Sequence, residues 1–131
     1  MGISAFIVED SPAIREALVE TLAELAGIRT VGTATSERAA KDWLANPPHA
    51  WDLAIVDLLL AEGSGFTLLT RCKKDAEGSG SVVVFSDFVS PAVQQRCKKL
   101  GADGVISKAH FPQLRSFLQS FLGRRQSAQA A

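Results

Sequence analysis

Residues 53–65 read Leu53-Ala54-Ile55-Val56-Asp57-Leu58-Leu59-Leu60-Ala61-Glu62-Gly63-Ser64-Gly65, a short apolar run that stops at a carboxylate. An aspartate behind an apolar strand usually serves a turn or a cap. Here three leucines come after it and want no cap, so Asp57 reads as a functional group at a strand end. Working outward, the same kind of run recurs at Ile3 to Val8, Ile28 to Ala34, Val82 to Phe85 and Gly104 to Ile106, with Leu53 to Asp57 as the third of five. Longer stretches with helical spacing separate the runs. Strands alternating with helices predict βαβ units and a parallel sheet.

The first intervening stretch carries Ile14, Ala17, Leu18, Thr21, Leu22 and Leu25 at three- and four-residue steps. A helix laying one stripe on a sheet needs that spacing. Ser11-Pro12 opens it and Gly27 closes it: a serine caps free N–H groups, a proline gives up an N–H that has no partner there, and glycine accepts the left-handed turn. Ser90-Pro91 and Gly101 repeat the punctuation around a helix carrying Val93, Cys97 and Leu100. Three more helices are expected, from about Glu37 to Ala45 before Asn46-Pro47-Pro48, from Phe66 to Ala76 before Glu77-Gly78-Ser79-Gly80, and from Pro112 to Leu122. Gly65 is read as the turn into the third helix, and the tail 126–131 as frayed.

At 131 residues the chain is long enough for one domain with a hydrophobic core and too short for a second of usual size. Fourteen basic and fourteen acidic side chains, with 47% hydrophobic residues, describe an ordinary globular composition with no overall pull toward nucleic acid or anionic lipid. Arg124-Arg125 is too short a run for a nucleic-acid patch. The N-terminal stretch turns acidic at Glu9-Asp10 after a few apolar residues, so neither a secretory signal nor a membrane span is expected. Cys72 and Cys97 lack metal or redox spacing and are read as reduced thiols of a cytoplasmic protein. Trp43 and Trp51 are assigned to packing or its rim, and His49 and His110 to the surface.

In an open parallel sheet, ligands bind beyond the carboxyl ends of the strands. Those ends are chemically coherent: Glu9-Asp10 after the first run, Asp57 at the third, Ser86-Asp87 after the fourth, Ser107-Lys108 after the fifth. Glu9-Asp10 alone reads equally as a helix-dipole feature. Joined by Asp57 and Lys108, the pair falls into a set. Close carboxylates repel unless a cation sits among them, and hard oxygen donors suit Mg²⁺ (or Mn²⁺). Asp57 is then a nucleophile toward phosphorus, with the metal, Lys108 and the Ser86 hydroxyl stabilising the equatorial oxygens.

The segments FIVED, LAIVDLLLAEGSG, VVVFSD and GADGVISK resemble the motifs of response-regulator receiver domains, from about Ile3 to Leu122. The resemblance implies a flavodoxin-like α/β fold, a five-stranded doubly wound parallel sheet of order 2-1-3-4-5 with helices on both faces. It implies a receiver domain over 1–123 and a flexible tail over 124–131. Asp57 would be the phosphoacceptor, Asp10 a direct metal ligand, Glu9 a ligand through water and the Leu59 carbonyl the third protein ligand. Ser86 would hydrogen-bond the phosphoryl group and Lys108 pair with it. The implied donor is a sensor histidine kinase or phosphotransfer protein, and slow self-hydrolysis would reset the switch. A downstream protein target or a homodimer would carry the output, without direct nucleic-acid or membrane contact.

The sequence departs from the family at several places. Val105 stands where many members carry a reporting aromatic residue, Ala109 replaces the usual proline after Lys108, and Asp87 puts a charge at a position usually small and uncharged. Asp87 is expected to weaken phosphoryl binding or tighten the metal. Leu59 and Phe88 are expected to shield an acyl phosphate from water and prolong its life. These departures motivate an alternative, a receiver-like interaction module that is never phosphorylated. A third reading, a phosphatase with Asp57 as covalent nucleophile, lacks its acid/base carboxylate, because Leu59 occupies the position two residues on.

Overall fold

The computed structural model describes residues 2–25, 27–45, 51–76, 80–87 and 89–130, with the backbone alone for 73–76 and 126–130. Among the described residues five strands, β1 (Ile3–Val8), β2 (Ile28–Ala34), β3 (Leu53–Val56), β4 (Ser81–Ser86) and β5 (Gly104–Ser107), alternate with five α-helices. The helices are α1 (Pro12–Glu24), α2 (Glu37–Ala45), α3 (Gly65–Ala76), α4 (Pro91–Lys99) and α5 (Phe111–Ala130). All strand pairs are parallel and the order is β2-β1-β3-β4-β5, as the alternation of runs and the family resemblance require.

The strands are apolar along their length because helices cover both faces. Phe6, Val8, Ala54, Val56 and Val84 point into one core with Leu68, Leu69, Cys72 and Cys97. Their alternate neighbours Ala5, Ile7, Leu53, Ile55 and Val83 point into a second with Leu18, Leu22, Leu114 and Leu118. Period-two alternation along the strands thus divides the core into two layers, one under α2, α3 and α4, the other under α1 and α5. Trp43 packs as expected: its ring stacks on Phe6 with centroids 4.0 Å apart, and a side chain at Gly32 would collide with the indole. Trp51 is buried, His110 is exposed, and the two cysteines are buried without a disulfide between them.

The helix punctuation acts as read. Ser11 Oγ accepts the Ile14 amide and Ser90 Oγ accepts the Val93 amide, each ahead of a proline at the first turn. Gly27 and Gly101 adopt φ of 89° and 111° behind α1 and α4. The last helix differs. It continues past the expected end at Leu122 to Ala130, because no proline interrupts 123–130 and the side chains of the last described turn find partners. Arg124 and Arg125 lie over the Phe117 and Phe121 rings, and Arg125 Nη2 reaches Asp52 Oδ1 at 2.5 Å. A 3₁₀ turn, Lys108–His110, also joins β5 to α5 where no helical turn was expected. Asn46-Pro47-Pro48, His49, Glu77-Gly78-Ser79 and Phe88 lie outside the described residues. Among the described residues, no helix is long and apolar enough to cross a membrane.

Candidate functional site

The last rungs of the parallel ladder gather the strand ends. The Glu9 amide donates to the Ala34 carbonyl (2.9 Å) and the Asp57 amide to the Val8 carbonyl (3.0 Å), so each acid leaves its strand beside the neighbouring strand's last residue. Glu9, Asp57 and Ser86 are buried among apolar strands, at 1%, 3% and 0% exposure. A buried charge is expensive without a partner. Lys108 is that partner: its Nζ lies 2.8 Å from Asp57 Oδ2 and 2.8 Å from Glu9 Oε1. The Asp57 contact has hydrogen-bond geometry, and the Glu9 contact is an ion pair of the same length.

Ala109, standing where proline is common, does not misdirect Lys108. The Ser107 Oγ accepts the Ala109 amide at 3.1 Å and so caps the 3₁₀ turn that begins at Lys108. Proline has no amide to give, so this cap needs a residue such as alanine at 109.

Protonation reflects this crowding. Burial raises the Glu9 carboxyl above its ordinary value, against the pull of Lys108 and the Ser11 amide, and the Asp57 charge adds to the rise. Burial works against the Lys108 ammonium, but the hydrogen bonds and charges of Asp57 and Glu9 outweigh it and hold the lysine above its ordinary value.

Asp10 completes the cluster from the loop after β1. Carboxylate oxygens of Glu9, Asp10 and Asp57 lie within 4.8 Å of one another. Among the described residues Lys108 pairs with two of these three carboxylates, and such a cluster of hard oxygen donors fits a small divalent cation. Asp87, by contrast, is exposed and not among the clustered acids. The Ser86 Oγ on the adjoining strand is fully buried and has no hydrogen-bond partner among the described residues. Native buried hydroxyls are rarely left so; Thr30 Oγ1 on β2 is in the same position, and what sets Ser86 apart is that it adjoins the acidic cluster.

The loop after β3 is held by the same acids. Asp57 Oδ1 accepts the Leu59 amide (3.2 Å), and Asp10 Oδ2 accepts the Ala61 amide (2.6 Å). Leu59 pairs with Ser64 across a short antiparallel bridge, and its side chain is 53% exposed, on the surface beside the site. Several contributors escaped the sequence reading. Arg15 donates to the Glu9 carbonyl (3.1 Å) and the Ser11 amide to Glu9 Oε2 (3.0 Å), steadying the acidic pair from α1. Gly65 does more than turn the chain: a Cβ there would overlap the Asp57 carbonyl. No spacing rule announces such contacts, because they depend on which loops meet.

The sequence profile of the response regulator receiver domain matches residues 5–119. The chain belongs to that family. Response regulator Rre1 of Synechocystis sp. is 28% identical to it over 133 residues, covering 98% of this chain and 55% of the relative, so the receiver chain spans about half that protein's length. The response regulator domain of Thermotoga maritima CheB has the same fold, with a TM-score of 0.75 at 20% identity over 95% of this chain and 96% of that one. RcsB of Salmonella enterica serovar Typhimurium, solved bound to a promoter with a phosphomimetic, matches at a TM-score of 0.69 and 22% identity, over 81% of this chain and 60% of RcsB. As a receiver domain the chain is a signalling domain of two-component systems rather than a dedicated enzyme.

Proposed function

We propose that the chain is a phosphorylation-controlled switch in which Asp57 accepts a phosphoryl group from a histidine kinase or phosphotransfer protein. The observation that carries this reading is the cluster of three carboxylates at the strand ends, two of them paired with Lys108 among the described residues, beside the buried Ser86 hydroxyl. Asp10, Asp57 and the Leu59 carbonyl would hold Mg²⁺ directly and Glu9 through water. The ion would supply positive charge to offset the carboxylates and the phosphoryl oxygens. An Asp57 carboxylate oxygen attacks phosphorus in line as the phosphorus–nitrogen bond of phosphohistidine breaks, its electron pair leaving on the imidazole nitrogen. Lys108 transfers its ion pair from the Asp57 carboxylate to a phosphoryl oxygen, and Ser86 Oγ donates a hydrogen bond to another.

The receiver unit spans residues 1–123, works in the cytoplasm and resets by slow self-hydrolysis. Its output runs through the face of α4, β5 and α5 to a protein target or a second copy, without direct contact to nucleic acid. Val105, half-buried on β5 against the core beneath α4, takes the place of the reporting aromatic, so the relay to that face differs from the family's common one.

The test is to incubate the protein with Mg²⁺ and acetyl phosphate and weigh it intact. A phosphoryl adduct on the parent chain that is absent from Asp57→Asn is expected. No adduct on the parent chain would favour the unphosphorylated interaction module, and steady release of phosphate with no adduct would favour a hydrolase.

A further inference from the structure

Within the metal and phosphoryl site just proposed, on which this inference rests, the loop over 58–64 carries the Leu59 carbonyl. Three side chains tether its backbone amides among the described residues. Asp57 Oδ1 holds the Leu59 amide, Asp10 Oδ2 the Ala61 amide, and Glu37 Oε1 the Ser64 amide at 2.8 Å. The first two tethers are the carboxylates that a cation and a phosphoryl group would claim. A cation and a phosphoryl group drawing on these same carboxylates would weaken two of the three anchors of the loop that presents the Leu59 carbonyl.

Glu37 is independent of that competition. It opens α2, on the other side of the loop, and its own amide donates to the Glu62 carbonyl at 3.0 Å, so the loop is gripped at 62 and 64 by one residue. Gly63 between them has a φ of 96°, and a Cβ there would strike the Glu37 side chain, so the chain passes this carboxylate as closely as glycine alone allows. The Leu59–Ser64 bridge carries the grip across to Leu59 itself. Lys41 closes the other carboxylate oxygen at 2.8 Å. Lys41, the Ser64 amide and the nearby Thr67 hydroxyl hold the Glu37 carboxyl down to about 2, so the anchor stays ionised wherever the switch operates.

We propose that Glu37 is a positioning residue for the metal site: its grip on Ser64 and Glu62 keeps the Leu59 carbonyl in place when Asp10 and Asp57 turn from the loop to the ion. It touches neither the ion nor the phosphoryl group. Its effect is on affinity, through the loop.

Calorimetric titration of the intact chain with Mg²⁺ tests this directly. Removing a residue that orients a ligand typically costs about tenfold in metal affinity, and that loss is expected for Glu37→Ala. Glu37→Gln keeps an oxygen for the Ser64 amide and is expected to restore most of the affinity. Lys41→Ala removes only the surface ion pair and should bind like the parent. Unchanged affinity in Glu37→Ala, or an equal loss in Lys41→Ala, overturns the proposal. Amide exchange on the parent chain supplies a second arm that needs no variant: added Mg²⁺ should speed exchange at Ala61 while Ser64 stays protected. Loss of Ser64 protection also overturns the tether. A parent chain that binds no Mg²⁺ at all overturns the metal-site reading, whereas a binding parent with an indifferent Glu37→Ala overturns the tether alone.

Discussion

β3 is flanked by an aspartate at each end, and each aspartate meets one cation. At the amino end Asp52 Oδ2 accepts the Ser4 amide at 2.8 Å and Oδ1 pairs with Arg125, while its backbone bonds Ser4 and Ser81. Asp103 straps β4 in the same way through the Val82 amide at 2.8 Å. Acceptors there are matched by donors, and the side chains of Asp52 and Arg125 keep 29% and 31% exposure to water. At the carboxyl end Asp57 shares Lys108 with Glu9, Asp10 crowds both, and the Ser86 hydroxyl has no partner among the described residues. An ion pair is thus no mark of function by itself. The mark is a local surplus, acids that outnumber their countercharges in a buried place, which a structural strap never needs and a site for a cation and an anion does.

The contrast breaks most visibly at Lys108. Its removal leaves Glu9 and Asp57 buried without a cation, so Lys108→Ala should lose about 3 kcal/mol of stability in metal-free urea unfolding, with much of the loss recovered on adding Mg²⁺. A variant as stable as its parent without metal would show that the surplus charge is relieved some other way.

At the balanced end, Asp52→Ala strands the Ser4 amide and should cost about 1–2 kcal/mol. That loss should be indifferent to Mg²⁺, and the phosphoryl adduct on Asp57 should form as in the parent. Sensitivity of this variant to the metal would dissolve the distinction between the two ends.

Glu9 sharpens the comparison through pH. Its folded-state carboxyl is raised above the ordinary 4.5, so the folded chain holds this proton more tightly than the unfolded one. The contribution of Glu9 to stability is therefore greatest below 4.5 and is lost as pH rises through the raised value. Without metal, the stability of Glu9→Gln relative to the parent should climb with pH across that interval. A flat difference would remove Glu9 as the strained acid.

Arg125→Ala should have the smallest effect, at most about 1 kcal/mol, because the pair is partly solvated and salt screens it. Melting curves at low and high salt that converge on the parent would place it as a strap. A large, salt-independent loss would mean that the end of α5 is held by more than charge.

Much of this was legible because the strands announce themselves twice, by their apolar runs and by the residues that close them. α2 matches its expected bounds, since Glu37 to Ala45 has helical spacing and a stop behind it. The end of α5 was not legible: the helix was expected to stop at about Leu122, yet it continues to Ala130, with Arg124 over the Phe117 ring two turns back and Arg125 over the Phe121 ring one turn back. At the site, Glu9, Asp10, Asp57, Ser86 and Lys108 stood out as polar groups at the ends of apolar strands. Arg15, Gly65 and Glu37 did not, because a helix-borne arginine, a turn glycine and a surface glutamate have ordinary explanations wherever they occur.

The sequence by itself determined the sheet, its two covered faces and the edge at which the chemistry collects. Strand periodicity and the chirality of βαβ crossovers leave little freedom once the runs are set. Only the tertiary structure decided how the charges are shared, that Lys108 bridges two acids, that Ser86 is left without a partner, and that Glu37 holds the Asp57 loop from outside the cluster. The physical reason is range: periodicity is written in neighbours along the chain, whereas charge balance and hydrogen-bond satisfaction are settled between loops far apart in sequence that meet at one sheet edge.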